Sequence, residues 1–96
     1  MKIIALIDVT HGVSIGTLRA EIANELKGSW ELFASGVLRE AYATATPSRV
    51  IFILETDSTA RAKEHLRKLP LVAAGLLRHE LIELRPFVNW AMLFAR

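Results

Sequence analysis

Five side chains in this 96-residue chain have the types and neighbours to do chemistry: Glu25, Arg39, Tyr42, His79 and Asp8. Glu25 follows Ile22 by three residues and precedes Leu26 by one. It therefore flanks an apolar helical stripe. Burial there would raise its pKa and suit it to shuttle a proton as a catalytic base. The alternative is a rim carboxylate beside Arg19. Arg39 shares a strand face with Val37 and Ala41, where it can pin a substrate carboxylate with two parallel N–H bonds. It can equally pair with Glu80 or another strand carboxylate. Tyr42, on the opposite strand face, offers a hydroxyl at an otherwise apolar wall. His79 lies between Leu77 and Leu81 on one face, as a ligand contact or a hydrogen-bonded interface residue. Asp8 shares a face with Ile4 and Leu6, so it points into a pocket or opens the following loop.

Other chemistry is excluded by residue type. There is no cysteine, hence no disulfide scaffold, thiolate zinc site or Cys nucleophile. The three histidines lack local zinc spacing, and no metal is expected. Gly12 and Gly16 do not form a phosphate-cradling loop, and no Ser-His-Asp set assembles locally. No cofactor is implied. The net charge of +2 decides little. The one basic concentration, Arg61, Lys63, Arg67 and Lys68, holds Glu64 and no aromatic residue. It reads as a solvated helix face, and no nucleic-acid partner is expected. No apolar run reaches the ~18 residues of a membrane span. Residues 1–10 do not form a secretory leader. A cytoplasmic location and no membrane partner are expected.

The elements that position these residues follow from pattern. Residues 2–9 are β-rich and too short to prefer helix. Ser14 or Thr17 caps a helix running to about Ser35, with a core-facing stripe of Leu18, Ile22, Leu26, Trp30 and Phe33. Gly36 ends it at the C′ position. Residues 37–44 form a strand, Ala45-Thr46-Pro47-Ser48 a turn with Pro47 at its first central position, and residues 49–55 the strongest strand. Asp57 or Ser58 caps a second helix with Ala62, Leu66 and Leu69 on one face. Pro70 interrupts it. A small-residue linker, Val72-Ala73-Ala74-Gly75, leads to a fourth strand at 77–84.

The order βαββαβ is the ferredoxin-like arrangement, an α+β fold with a four-stranded antiparallel sheet and two helices on one face. One domain, residues 1–86, carries it. The sheet poses a problem. Ile3, Ala5, Ile7 and Val9 point one way in the first strand, and Ile4 and Leu6 the other. In the third, Val50, Phe52 and Leu54 oppose Ile51 and Ile53. Both sides are apolar, but two helices cover only one. A second copy laid sheet against sheet, a dimeric α/β barrel, is the expected remedy. The tail, residues 87–96, carries Phe87, Val88, Trp90, Met92, Leu93 and Phe94. It is expected to contact another subunit of a homodimer or higher oligomer, or else its own sheet edge.

Leu69-Pro70-Leu71-Val72-Ala73-Ala74-Gly75-Leu76, followed by a strand and Arg85-Pro86-Phe87, resembles the carboxy half of YCII-related and muconolactone-isomerase-like proteins. Trp30 to Glu40 resembles their first-helix end, glycine and second strand. The resemblance covers roughly residues 1–87. It implies a dimeric α/β barrel with a pocket near the subunit interface. It also implies that Glu25 falls where the isomerases carry a Glu, and that Arg39 and Tyr42 fall where they carry a basic residue and an aromatic. The YCII-type His in helix one has no counterpart here. The expectation is a small-molecule partner, a small organic acid or lactone. Three roles remain open: a cofactor-free isomerase with Glu25 as base, a non-catalytic oligomeric barrel module, or a cofactor-free monooxygenase-like barrel.

Overall fold

The computed structural model describes residues 1–95. Four antiparallel strands, β1 (Lys2–Val9), β2 (Leu38–Ala45), β3 (Ser48–Glu55) and β4 (Leu77–Leu84), form one sheet in the order β2-β3-β1-β4. The helices are α1 (Ile15–Arg19), α2 (Ile22–Ala34), α3 (Thr59–Arg67) and α4 (Pro70–Ala73), and a 3₁₀ turn spans Val88–Leu93. This is the ferredoxin-like α+β fold that the element order requires. The most apolar strands, β1 and β3, take the centre, where every backbone group finds a ladder partner.

The register fixes the two faces. Ala5 pairs with Phe52 and Leu81, and Ile3 with Leu54, so these side chains share one face. That face meets the helices. Ile3, Ala5, Ile7, Leu38, Phe52 and Leu54 form one buried cluster with Ala62, Leu66 and Leu69. The other face carries Ile4, Leu6, Ile51 and Ile53 at its centre, all half-buried, and its own chain lays no helix on it.

Two helix ends are built alike. At the end of α2, Val37 N–H donates to Leu32 C=O and Gly36 N–H to Phe33 C=O, with Gly36 at φ +86°. After α4, Leu76 N–H donates to Leu71 C=O and Gly75 N–H to Val72 C=O, with Gly75 at φ +75°. Both are Schellman endings, and each glycine takes a left-handed backbone conformation that disfavours a Cβ. Each delivers the chain into a strand, β2 or β4.

Several local expectations are corrected. The first helix is two helices, broken at Ala20–Glu21; Ser14 caps α1, its Oγ accepting from Thr17 N–H at 3.3 Å. Ser58 caps α3 in the same way, through Arg61 N–H at 3.1 Å. Pro70 opens α4 rather than merely ending α3, because a first-turn residue needs no N–H. Part of the expected linker is therefore helical. Ala45 pairs with Ser48, which puts Pro47 at the second central position of the turn, after a cis Thr46–Pro47 bond. In β2 a bulge between Leu38 and Glu40 breaks the alternation. Leu38 faces the helices opposite Leu54, and so does Ala41 opposite Phe52, three residues on rather than two. Arg39 therefore does not continue a simple Val37–Arg39–Ala41 row.

The largest correction concerns α2. Its apolar stripe does not face the sheet as core: Leu26, Trp30 and Phe33 are exposed, Trp30 by 66%. The inward residues are Glu25 and, half-buried, Gly28, Ser29 and Leu32. Gly28 lets α2 approach the α3–α4 junction, since a Cβ there would lie 2.9 Å from Leu69 Cδ2. The helix leans on that junction and stands off the sheet on its other side.

Candidate functional site

The gap left by this lean is a cavity of about 380 Å³ between α2 and the sheet. That size suits a small organic molecule. Ile7, Val9, Val50 and Phe52 form its sheet wall, and Leu18, Ile22 and Leu26 its helical wall. Leu71 and Leu77 close the side toward α4. Only two lining residues have polar side chains, Glu25 and Ser29. They stand four residues apart on α2, which puts them on one face a turn apart.

Glu25 is 8% exposed and is the one charged residue in the buried set. Its Oε1 accepts the Leu71 N–H at 2.7 Å. The reason is local. Leu69, the residue preceding α4, supplies no side-chain cap, so the N–H groups of this short helix need an acceptor from elsewhere. A carboxylate 46 residues away in sequence provides it. Burial pushes the Glu25 pKa up from its ordinary value, and the Leu71 N–H pulls it partly back. Among the described residues, Oε2 makes no hydrogen bond, and it is not sealed from solvent. Half of the carboxyl is thus anchored and half is available to a guest. Ser29 Oγ donates to Leu26 C=O at 2.9 Å, which leaves its lone pairs free to accept.

The other expected site residues lie elsewhere. Asp8 is on the open sheet face, paired with Arg49 at 3.1 Å and more loosely with Arg78 at 4.0 Å. With Leu6 and Glu80 they border a second concavity, of about 390 Å³. His79 lines it too, so two of the five expected site residues border one charged concavity, in which Asp8, Arg49 and Arg78 are paired. Tyr42 also lies on the open face, opposite Ile51, and its hydroxyl donates to Glu40 at 2.5 Å. That bond and the Glu40 charge hold the phenol pKa above its usual value. Arg39 Nε donates to Gly36 C=O at 2.6 Å, near the α2–β2 junction. His79 faces the helix side beside Ile7. Burial, with Lys63 and Arg67 of α3 nearby, pulls its pKa down. The structure thus gathers Glu25 alone of the five into the apolar cavity. Arg61, in the basic helix face, pairs with Glu64 at 3.0 Å as a solvated surface pair.

Ser29 was not singled out from the sequence. Its spacing of four from Glu25 was the available signal. No sequence pattern pointed to the Leu71 N–H, because the contact joins α2 to α4 across the fold. Among the described residues no three His, Cys, Asp or Glu side chains converge as metal ligands, and no helix is long and apolar enough to cross a membrane.

No protein-family model matches this chain, and no characterised protein matches it by sequence. Among solved structures it is similar to 5-chloro-2-hydroxyhydroquinone dehydrochlorinase (TftG) from Burkholderia phenoliruptrix AC1100, in complex with 2,5-dihydroxybenzoquinone. The TM-score is 0.70 at 16% identity, covering 88% of this chain and 94% of that one. At this identity the likeness shows a shared fold, and the site must be argued from this chain's own residues.

Proposed function

We propose that the chain binds a small, largely apolar ring compound in the cavity under α2 and that Glu25 moves a proton on it. The observation that carries this is the placement of one carboxyl, raised in pKa and half anchored, as the sole ionisable group in an apolar chamber. Among the described residues no Lys, Arg or His lines that chamber. A guest carboxylate would meet Glu25 with no counter-ion, so the geometry favours an uncharged hydroxylated ring or lactone. The fold neighbour is named for a hydroxylated ring and holds 2,5-dihydroxybenzoquinone. Arg39, expected to anchor an acid, does not line this chamber; an acidic group on the guest would have to reach outside it.

The reaction that fits is cofactor-free proton transfer beside a carbonyl, of the kind a muconolactone-type isomerase performs. Glu25 takes a proton from the carbon next to the carbonyl, and an enolate forms. Return of that proton to another carbon of the same conjugated system completes the isomerisation. A raised pKa suits both steps, because the group must accept and then release.

A second copy laid on the open sheet face belongs to the same proposal. Ile4, Leu6, Ile51 and Ile53 need cover that their own chain does not provide. Light scattering at twice 10.7 kDa supports this, and a mass of 10.7 kDa refutes it.

The Leu71 bond favours a second reading, in which Glu25 is only the anchor of α4 in a non-catalytic module. Thermal shift separates the two. Phenol, resorcinol and γ-valerolactone are tested against benzoate on the native chain, Glu25→Gln and Ser29→Leu. Stabilisation by the neutral rings that is lost in Ser29→Leu supports the cavity as the site. Equal responses in all three chains refute it. With a turned-over ligand in hand, Glu25→Gln keeps an acceptor for Leu71 but loses proton transfer; unchanged turnover leaves only the anchor reading.

A further inference from the structure

We infer that Gly28 is a positioning residue for Glu25: its close contact with Leu69 holds α2 at the distance from which the Glu25 carboxyl reaches the Leu71 N–H and keeps its second oxygen toward the cavity. The inference rests on Glu25 being the group that acts on the guest. Gly28 stands in the middle of α2, where glycine weakens a helix relative to alanine. It is not one of the glycines with positive φ, so the backbone itself does not require glycine there. Its use lies in what it touches.

The start of α4 meets α2 at two points. Gly28 meets Leu69, the residue that precedes α4, and Glu25 bonds Leu71, the second residue within it. Glu25 and Gly28 are three residues apart on α2 and therefore share a face. One contact is apolar and sets a spacing; the other is a charge-assisted bond that needs that spacing. Gly28 itself does not line the cavity. Whatever it does for the site, it does through Glu25.

The distances leave little slack. A Cβ at position 28 would lie 2.9 Å from Leu69 Cδ2, short of the ~3.5–4.0 Å at which carbon atoms rest against each other. Relief needs a shift of about 0.6 Å or more. Leu69 is buried within the core cluster, so α2 is the element that yields. The same shift applied to the 2.7 Å Glu25–Leu71 bond carries it to about 3.3 Å, past the ~3.2 Å limit of a sound N–H···O bond. The carboxyl is then unanchored, and its second oxygen loses its fixed aim. A base that must meet one carbon of a bound ring loses rate when misplaced on this scale. One added methyl group is thus felt at Glu25 without entering the cavity.

The test is an NMR titration of the native chain, Gly28→Ala and Gly28→Ala/Leu69→Ala. In the native chain the Leu71 amide shift is expected to titrate with the Glu25 carboxyl, because that carboxyl accepts the amide hydrogen. An amide indifferent to the carboxyl overturns the inference before any variant is made. Gly28→Ala is expected to break the link, and the double variant, which gives the new methyl group room, to restore it. A link that survives in Gly28→Ala shows that Leu69 yields in place of α2 and overturns the inference. So does a double variant that folds without regaining the link. Resorcinol affinity is expected to fall about tenfold or more in Gly28→Ala, as a bond to a charged acceptor is lost, and to return in the double variant. Affinity unchanged in Gly28→Ala but lost in Ser29→Leu sinks the positioning role and leaves the ligand reading standing. A link lost and regained across chains that bind no ring compound sustains the positioning and sinks the ligand reading.

Discussion

The two helical layers of this molecule rest on the same sheet face and are built in opposite ways. Under α3 the chain is packed solid: Leu54 and Leu66 are fully buried in one cluster with Ile3, and Ala62 gives α3 a close approach to the sheet. Under α2 the chain is hollow. The helix turns Glu25 and Ser29 inward over a cavity, with Leu26 at the cavity's rim and Trp30 and Phe33 left outside. A fold whose two halves repeat the same β-α-β plan has thus invested one half in stability and the other in a chamber. The lesson is that an apolar stripe does not by itself mark a helix's inward face. In α2 the inward face is the one carrying the carboxyl.

Core truncation tests this contrast with the largest expected effect. Leu66→Ala should cost about 2–5 kcal/mol, because a fully buried side chain leaves a void that dense neighbours cannot fill. Urea unfolding measures it, and a loss below about 1 kcal/mol would mean that the α3 side is no better packed than the α2 side. Glu25→Leu comes next. It strips the Leu71 N–H of its acceptor in a buried setting, at about 1–3 kcal/mol. A neutral result would show that α4 does not depend on the carboxylate. Gly36→Ala should cost roughly 1–2 kcal/mol for its left-handed backbone, and it sharpens the contrast by acting at a helix end rather than in either layer.

Acidity separates the halves more finely. The native state holds the Glu25 proton to a higher pH than the unfolded chain does. Its contribution is therefore fully present below the ordinary value of 4.5 and falls away as pH rises through the raised one. Glu25→Gln should lack that decline, so the stability difference between native and variant chains shifts in the variant's favour toward neutral pH. Parallel stability–pH curves would contradict the burial of a titrating carboxyl. The smallest effect is expected for Leu26→Ala, within about 0.5 kcal/mol for an isolated chain because the residue is exposed. A loss above about 1 kcal/mol would show that this stretch of α2 is packed rather than exposed.

Much of this was legible in the sequence. Alternation in β1 and β3 assigned both faces of the sheet, Gly36 marked one helix end and Asp57 or Ser58 another, and the angle of Glu25 on the stripe margin left burial and a rim position both open. What escaped reading depended on contacts between distant segments. The bulge after Leu38 exists only because β2 must register with β3. The lean of α2 follows from Gly28 meeting Leu69, and it reverses the stripe's expected direction. Asp8, Tyr42, Arg39 and His79 lie apart from Glu25 because adjacent strand positions open onto opposite faces. Residue type told what each could do, but only the register told which of them could act together.

The most direct measurement is a carbon-13 titration of the Glu25 carboxyl, with and without resorcinol. The account predicts a midpoint above the ordinary glutamate range in the free protein and a clear displacement of that midpoint when the ring compound binds. An ordinary midpoint that the compound leaves untouched would contradict it.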